Sequence, residues 1–253
     1  MRIHCFGTTG YHPSPNRHTA AYYLPELSMM LDAGTGLFRL IECLQQEPNQ
    51  SLDILLSHAH LDHTVGLTFL IDVMAVTSLK KVRVHGAIDK LNAVRDHLFN
   101  PLLFPVEPSF EFISLEGESG CKQIGDSQVH WFPLEHPGGS LGFIIEAAGK
   151  RLAYVSDTVS RVEAEYVSMI HGLDLLLHEC YFADDQMEFA IRTGHSWTSE
   201  VENIIQTTKP RRALLIHINP LANQELIERM LLRVTKLSGT HVQIAEDGLI
   251  LNF

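Results

Sequence analysis

The chain has 253 residues and a formal net charge of −11, from 19 Lys and Arg side chains against 30 Asp and Glu. That length can bury a sizeable core in one large domain or in two small ones. The acidic balance argues against a general nucleic-acid-binding protein, because phosphates require a basic surface.

Short strands alternate with helices along the chain, and no linker or low-complexity tract divides it. The predicted strands are Arg2–Phe6, Ala20–Leu24, Met29–Asp32, Asp53–Ser57, Lys81–His85, Gln128–Leu134, Gly142–Ala147, Arg151–Ser156, Leu173–His178, Arg212–His217, Val242–Glu246 and Leu249–Phe253. The predicted helices are Gly36–Glu47, His63–Val76, Ile88–Leu98, Val162–His171, Thr198–Thr208 and Asn223–Leu237. This alternation predicts a single α/β domain over residues 1–253, with two sheets that are each covered by helices on one face.

The cysteine content and the apolar stretches bear on the cellular compartment of the protein. Four cysteines, none in a Cys-x-x-Cys pair, make a disulfide framework unexpected at this length. The first residues turn into a Gly/Thr loop and lack the apolar core of a signal peptide. The longest apolar stretch, residues 64–79, contains Asp72 and is too short to span a bilayer. We therefore expect a cytoplasmic protein that does not enter a membrane.

Four metal-binding side chains lie within six residues, directly after an apolar predicted strand: His58, His60, Asp62 and His63. Side chains alternate along a strand, so His58 and His60 point to one side. Asp62 and His63, at the entry to the next helix, can turn toward a second point nearby. This geometry suits two metal ions better than one. The alternative is an incidental surface histidine run, but such runs are usually exposed and low in complexity, whereas this one joins a strand to a helix.

Further titratable residues end later strands or lie in turns: His136, Asp157, His178, Glu179, His195 and His217. Taken singly, a histidine at a strand end is more often just a hydrogen-bonded residue. In layered α/β folds, however, the carboxyl edge of the strands is where ligands usually bind. Together these positions predict one functional edge.

The order His-x-His-x-Asp-His, then His, Asp and His, resembles the metallo-β-lactamase superfamily, and Leu31-Asp32-Ala33-Gly34 resembles its early Asp-x-Gly turn. The resemblance implies a four-layer αββα sandwich, with two mixed sheets packed face to face and helices outside. It also implies two divalent metal ions, with ligands divided as follows: His58, His60 and His136 for one, Asp62, His63 and His217 for the other, and Asp157 bridging both. Imidazole and carboxylate ligands favour Zn²⁺, with Mn²⁺ or Fe as alternatives.

Within the superfamily the chain most resembles the ribonuclease Z-like phosphodiesterases. The similar segments are Asp62–Leu67, His136–Phe143, and the pair His178-Glu179 with Gly194-His195-Ser196. True ribonuclease Z enzymes carry a tRNA-gripping arm between the third metal histidine and the bridging aspartate. Here only 21 positions separate His136 from Asp157. We therefore expect a small phosphodiester or nucleotide-derived substrate and no large RNA. A homodimer is implied by the family likeness alone.

These residues permit the following candidate roles. A metal-bound hydroxide would attack phosphorus, with Asp62 either taking the water's proton or acting only as a ligand. His195 is the candidate general acid, held by Glu179; alternatively, its turn only caps the helix at Thr198. Three further residues are candidate phosphate contacts, each with a purely structural role as the alternative: Ser140, Ser196 and Arg17.

Other functions remain open from the sequence. A lactone, thioester or other carboxylic ester hydrolase would use the same scaffold but would not need the Glu179/His195 pair. A tRNA 3′-processing endonuclease would need the missing arm. A non-catalytic nucleotide-binding module would be recognised by missing ligands, and no ligand is missing here.

Overall fold

The structure is a computed structural model that describes residues 1–253, apart from the side chains of residues 236–238. It divides into two compact units, one of residues 1–117 with 246–252 and the other of residues 118–245 with residue 253. This division does not test the expectation of a single domain over residues 1–253, which stays a prediction. Within the described residues, none of the helices combines the length and hydropathy that a membrane-spanning segment requires.

In the described part of the chain, the strands are β1 Arg2–Gly7, β2 Ala21–Leu24, β3 Met29–Leu31, β4 Ser51–Leu55, β5 Lys81–Gly86, β6 Glu111–Ser114, β7 Gly120–Ile124, β8 Ser127–Leu134, β9 Ser140–Ala147, β10 Lys150–Val155, β11 Leu175–Glu179, β12 Arg212–Ile216, β13 His241–Ile244 and β14 Ile250–Asn252. The α-helices are α1 Leu40–Gln46, α2 Leu61–Thr64, α3 Leu70–Val76, α4 Ile88–Ala93, α5 Glu165–Met169, α6 Met187–Thr193, α7 Thr198–Thr208 and α8 Gln224–Ser238. Short 3₁₀ or π turns are Pro25–Leu27, Thr35–Arg39, Val65–Phe69, Val94–Leu98 and Asp184–Gln186.

The first unit is built on a mixed sheet in the order β14-β1-β2-β3-β4-β5-β6. β14, β1, β2 and β3 pair antiparallel, whereas β3 to β6 run parallel. Leu52 and Ile54 alternate along β4 and pack, with Val82 and Val84 of β5, against the buried Leu67 beyond α2. This core fixes the point at which β4 ends and the histidine cluster begins.

The second unit has its own mixed sheet, in the order β13-β12-β11-β10-β9-β8-β7. β10 to β13 run parallel, and the β7-β8-β9-β10 part is antiparallel. Leu176 and Leu215 pack with Val201 and Ile205 of α7 in the core. Because β10, β11 and β12 are parallel neighbours, the residues that follow them meet at one edge.

The sequence missed two strands and one helix. β6 and β7 are largely part-exposed or exposed and lie at sheet edges, so they lack the alternation that marks a half-buried strand. α6 has only seven residues. The helix predicted from His63 begins at Leu61, and a 3₁₀ segment interrupts it before α3. A predicted helix, Thr198–Thr208, has the same bounds in the structure.

Candidate metal centre

In the first unit, the cluster occupies the connection from β4 to α2. The His58 and His60 ring centroids lie 4.5 Å apart, and those of His58 and His63 lie 4.3 Å apart. Asp62 and His63 fall in α2, with 3.3 Å between Asp62 Oδ2 and His63 Nε2. His58 and His63 are buried, whereas His60 is exposed. The structure thus brings four predicted ligands of this unit into one cluster.

Asp32, just beyond β3, orients this cluster. Its carboxylate is buried and accepts hydrogen bonds from His63 Nδ1 (2.7 Å), the Ser57 hydroxyl (2.7 Å) and the Ser57 backbone N–H (2.7 Å). Since the Ser57 hydroxyl donates to Asp32, it accepts from His58 Nδ1 at 3.0 Å. Both histidines therefore carry the proton on Nδ1 and the lone pair on Nε2, the tautomer of a histidine that binds metal through Nε2.

The Asp-x-Gly turn also fixes the start of α2. Ala33 N–H donates to the His63 carbonyl at 2.8 Å. A Cβ on Gly34 would lie 2.2 Å from the Asp62 carbonyl oxygen, and one on Gly66 would lie 2.2 Å from the Gly34 carbonyl oxygen. Glycine is needed at both positions because two backbone segments touch there. The sequence showed this turn, but it did not reveal that Asp32 holds His63.

In the second unit, His136, Asp157 and His217 follow three strands, β8, β10 and β12. His217 Nε2 lies 3.2 Å from Asp157 Oδ1, and His136 Nε2 lies 3.7 Å from Asp157 Oδ2. His136 Nδ1 donates to the Gly194 carbonyl at 2.8 Å, which again leaves the lone pair on Nε2. Burial lowers the pKa of His136 below its ordinary value, so the ring is neutral at pH 7, as a metal ligand must be.

Glu179, which is buried, and His195, which is part-buried, form an acid–base pair beside these residues. Glu179 Oε2 accepts from His195 Nδ1 at 3.0 Å, and Oε1 accepts from the Thr158 and Ser196 backbone N–H groups at 2.6 and 3.2 Å. Burial alone would raise the pKa of Glu179, but the charge and hydrogen bond of His195 and a further bond from His217 lower it to about 2. The carboxylate is therefore ionised at neutral pH.

The loop carrying His195 is packed against the loop carrying His136. Gly194 has φ +82°, and a Cβ there would lie 2.1 Å from Pro137 Cδ and 2.9 Å from His136 Nδ1. The Tyr181 ring stacks on His195 at a centroid distance of 4.5 Å. Donor atoms of Glu179, His195 and His217 lie within 4.8 Å of one another, close enough to share an ion.

The remaining predicted residues are placed as follows. Ser196 is fully buried, donates to the Thr158 carbonyl at 2.8 Å and lies 3.2 Å from Glu179 Oε1. Ser140 is buried at the start of β9. Arg17 donates to the Thr8 hydroxyl at 2.7 Å. Substrate binding by Ser140, Ser196 and Arg17 stays a prediction.

Comparison with known proteins decides the family. Residues 29–218 match the beta-lactamase superfamily domain. The chain belongs to the metallo-β-lactamase superfamily. Ribonuclease Z of Natronomonas pharaonis is 24% identical to it over 276 positions, which cover 87% of each chain. The metallo-β-lactamase-fold protein YhfI of Bacillus subtilis superposes with a TM-score of 0.80 at 19% identity, covering 99% of this chain and 98% of YhfI. Human tRNase Z, short form, superposes with a TM-score of 0.75 at 22% identity, covering 100% and 99%.

Membership of the metallo-β-lactamase superfamily confirms the predicted fold class, an α/β sandwich built from two mixed sheets and helices. The protein is a hydrolase of this superfamily, and its relatives include Ribonuclease Z. The superfamily fold implies divalent-metal binding, and the tautomers of His58, His63 and His136 suit that role. The 276 aligned positions hold about 220 residues of this chain, so that Ribonuclease Z contains insertions relative to it.

Proposed function

We propose that this hydrolase cleaves a small phosphodiester with the help of two divalent metal ions and with His195 as the general acid. The observation that carries the proposal is the Glu179–His195 pair, with 3.0 Å between Oε2 and Nδ1. An alkoxide leaving phosphorus needs a proton, and this pair can supply it.

The proposed ligand sets are His58, His60 and His136 for one ion and Asp62, His63 and His217 for the other, with Asp157 shared. Support comes from the groups that hold the rings: Asp32 for His63, Ser57 for His58 and the Gly194 carbonyl for His136. Ligating histidines commonly donate their second N–H to such a carboxylate, carbonyl or other polar partner. Imidazole and carboxylate donors favour Zn²⁺, with Mn²⁺ or Fe as alternatives.

Each residue of the proposed site has its own role in the reaction. Two bound dications would neutralise phosphate charge and lower the pKa of a water from ~16 toward ~7. His195 Nδ1–H is held by Glu179, so its Nε2–H gives a proton to the leaving oxygen. Because Glu179 stays ionised, it stabilises the imidazolium before transfer. Asp62 would accept a proton from the attacking water or act only as a ligand.

A small substrate fits the span between His136 and Asp157. β9 and β10, a hairpin of the second sheet, occupy most of those 21 positions. A separate arm has no sequence to form it there. The insertions of the aligned Ribonuclease Z agree with a relative that is larger than this chain. We therefore favour a cyclic or nucleotide-derived phosphodiester over tRNA 3′ processing.

The test compares two phosphodiesters that differ only in the leaving group: a weakly basic nitrophenolate and a strongly basic alkoxide. His195→Ala should lower kcat for the alkoxide substrate about 10²- to 10⁴-fold and lower it far less for the nitrophenolate. Metal content should be unchanged by elemental analysis. His171→Ala, which removes an exposed imidazole, is the matched control.

Equal effects on both substrates, or loss of metal in His195→Ala, would show that His195 is not the general acid. Loss of metal would instead identify it as a ligand with Glu179 and His217. Turnover of a lactone or thioester panel, with no turnover of phosphodiesters, would favour the carboxylic ester alternative.

A further inference from the structure

The loop from Gly7 to His18, which joins β1 to β2, is closed at its base. Thr8 and Thr9 both donate backbone N–H groups to the His18 carbonyl, at 2.8 and 3.0 Å. Thr8 Oγ1 donates to Asp247 at 2.8 Å and accepts from Arg17 at 2.7 Å. A loop tied at both ends in this way can hold a side chain in a defined position.

Tyr11 occupies a strained turn near the tip of this loop. His12 N–H donates to the Gly10 carbonyl at 2.8 Å, which closes a γ-turn centred on Tyr11 with φ +61°. Positive φ is uncommon for a bulky residue and is relieved by glycine or asparagine. Strained backbone of this kind concentrates at functional sites.

The turn is fastened to a proposed metal ligand. The Tyr11 backbone N–H donates to Asp62 Oδ2 at 2.7 Å. The tyrosine ring itself is 76% exposed, with the His12 ring edge-on to it at 5.2 Å. The ring therefore gains little from burial, although the Tyr11 backbone is held next to the proposed metal ligand Asp62 with a positive φ. Packing does not explain a tyrosine here.

We propose that Tyr11 is a stacking platform for a heterocyclic base, so that the substrate is a nucleotide-type phosphodiester. This inference rests on the proposed function, because it places the scissile phosphate at Asp62. A nucleotide carries its base one sugar away from phosphorus, and the Tyr11 backbone is bonded directly to that carboxylate. Bases stack on exposed tyrosine faces with little dependence on base identity, and the edge of His12 limits the positions the base can take.

The experiment uses the metal-loaded enzyme and two substrates with the same leaving group: thymidine 5′-(p-nitrophenyl phosphate) and methyl p-nitrophenyl phosphate. Tyr11→Gly removes the ring where glycine adopts φ +61° freely. The ratio of kcat/KM for the thymidine ester to that for the methyl ester should fall about 5- to 50-fold. In Tyr11→Phe, which keeps the ring, the ratio should stay within about twofold.

Phe38→Ala is the matched control, because it removes a part-exposed ring that contacts His18 at the base of the same loop, at 4.8 Å. An unchanged ratio in Tyr11→Gly overturns the proposal. An equal fall in Phe38→Ala, or in Tyr11→Phe, also overturns it, because the effect would then come from the loop or from the hydroxyl group.

Failure of the proposed function gives a different result. If the wild-type enzyme hydrolyses neither ester, phosphodiester cleavage is wrong, and the platform is then measured by equilibrium binding of thymidine 5′-monophosphate. A dissociation constant raised about 5- to 50-fold in Tyr11→Gly but not in Tyr11→Phe supports the platform. Equal dissociation constants overturn it.

Discussion

Replacing Asp32 by asparagine should weaken metal binding without removing a proposed ligand. Asp32 Oδ2 accepts two hydrogen bonds, from His63 Nδ1 and from the Ser57 hydroxyl. The Ser57 backbone N–H donates to the other oxygen, Oδ1. Asparagine has one oxygen and one NH₂ in place of the two carboxylate oxygens, so in either orientation its NH₂ faces at least one of these three donors. If His63 shifts its proton to Nε2 to accept from the amide, that nitrogen can no longer bind a metal ion.

The size of the effect follows from what Asp32 contacts. It touches one proposed ligand directly and a second one, His58, through Ser57. Loss of such an orienting partner costs about 10- to 100-fold in metal affinity, or about 1.4 to 2.7 kcal/mol. Asparagine tolerates the φ of +55° at this position, so backbone strain is not added.

Asp53→Asn is the control. Asp53 is also a buried aspartate bonded to a histidine, with 2.7 Å between its Oδ1 and His85 Nε2, and it pairs with Arg83 at 2.6 Å. Its removal should lower the free energy of unfolding by about 2 to 3 kcal/mol, because it leaves partly buried charge unpaired. It should leave metal affinity within about twofold, because none of its partners is a proposed ligand.

Affinity is measured by competition with a chromophoric chelator, and stability by urea unfolding of the metal-free forms. The reasoning is refuted if Asp32→Asn binds metal as tightly as the wild type. It is also refuted if both variants lose affinity equally, because general destabilisation would then explain the result.

Three further predictions follow. Gly194→Ala should lower the free energy of unfolding by about 2 kcal/mol or more, because its Cβ would lie 2.1 Å from Pro137. Gly172→Ala, at φ +66° with nothing within 4 Å, should lower it by only about 1 kcal/mol. Equal decreases in the thermal unfolding temperature of the two variants would contradict this prediction. The pKa of Glu179 is lowered to about 2, so its ionised form stabilises the fold above pH ~4.5, and this contribution is lost as the pH falls toward 2. The free energy of unfolding in urea of metal-free Glu179→Gln should therefore depend less steeply on pH over that range than that of the metal-free wild type. A thiol reagent at pH 8 should label exposed Cys121 first, since burial raises the pKa of Cys43 to about 11; fast labelling that persists in Cys121→Ser would be inconsistent with the structure.

The sequence was sufficient to predict the position of metal-binding residue types that directly follow a strand. His58 to His63 follow a strand whose apolar residues are buried, so their position at the edge of a sheet could be predicted. Asp157 and His217 follow parallel strands, which place them at the same edge. The family resemblance then gave these residues roles that spacing alone could not supply.

The sequence could not predict the contacts that orient the histidine cluster. Asp32 and His63 are 31 positions apart and meet only because β3 and β4 are paired neighbours. Gly194 and Pro137 touch only after the second sheet has formed. The Tyr11 backbone N–H donates to Asp62, 51 positions away. Local patterns do not encode such long-range pairs.

The central claim is that two metal ions are bound by seven side chains contributed by strands and turns far apart in the sequence. An anomalous-difference map from crystals of the Zn²⁺-loaded protein, recorded at the zinc edge, tests it most directly. We predict two peaks about 3.5 to 4 Å apart, one beside His58, His60 and His136, the other beside Asp62, His63 and His217, with Asp157 between them. A single peak, or two peaks away from these side chains, would contradict the account.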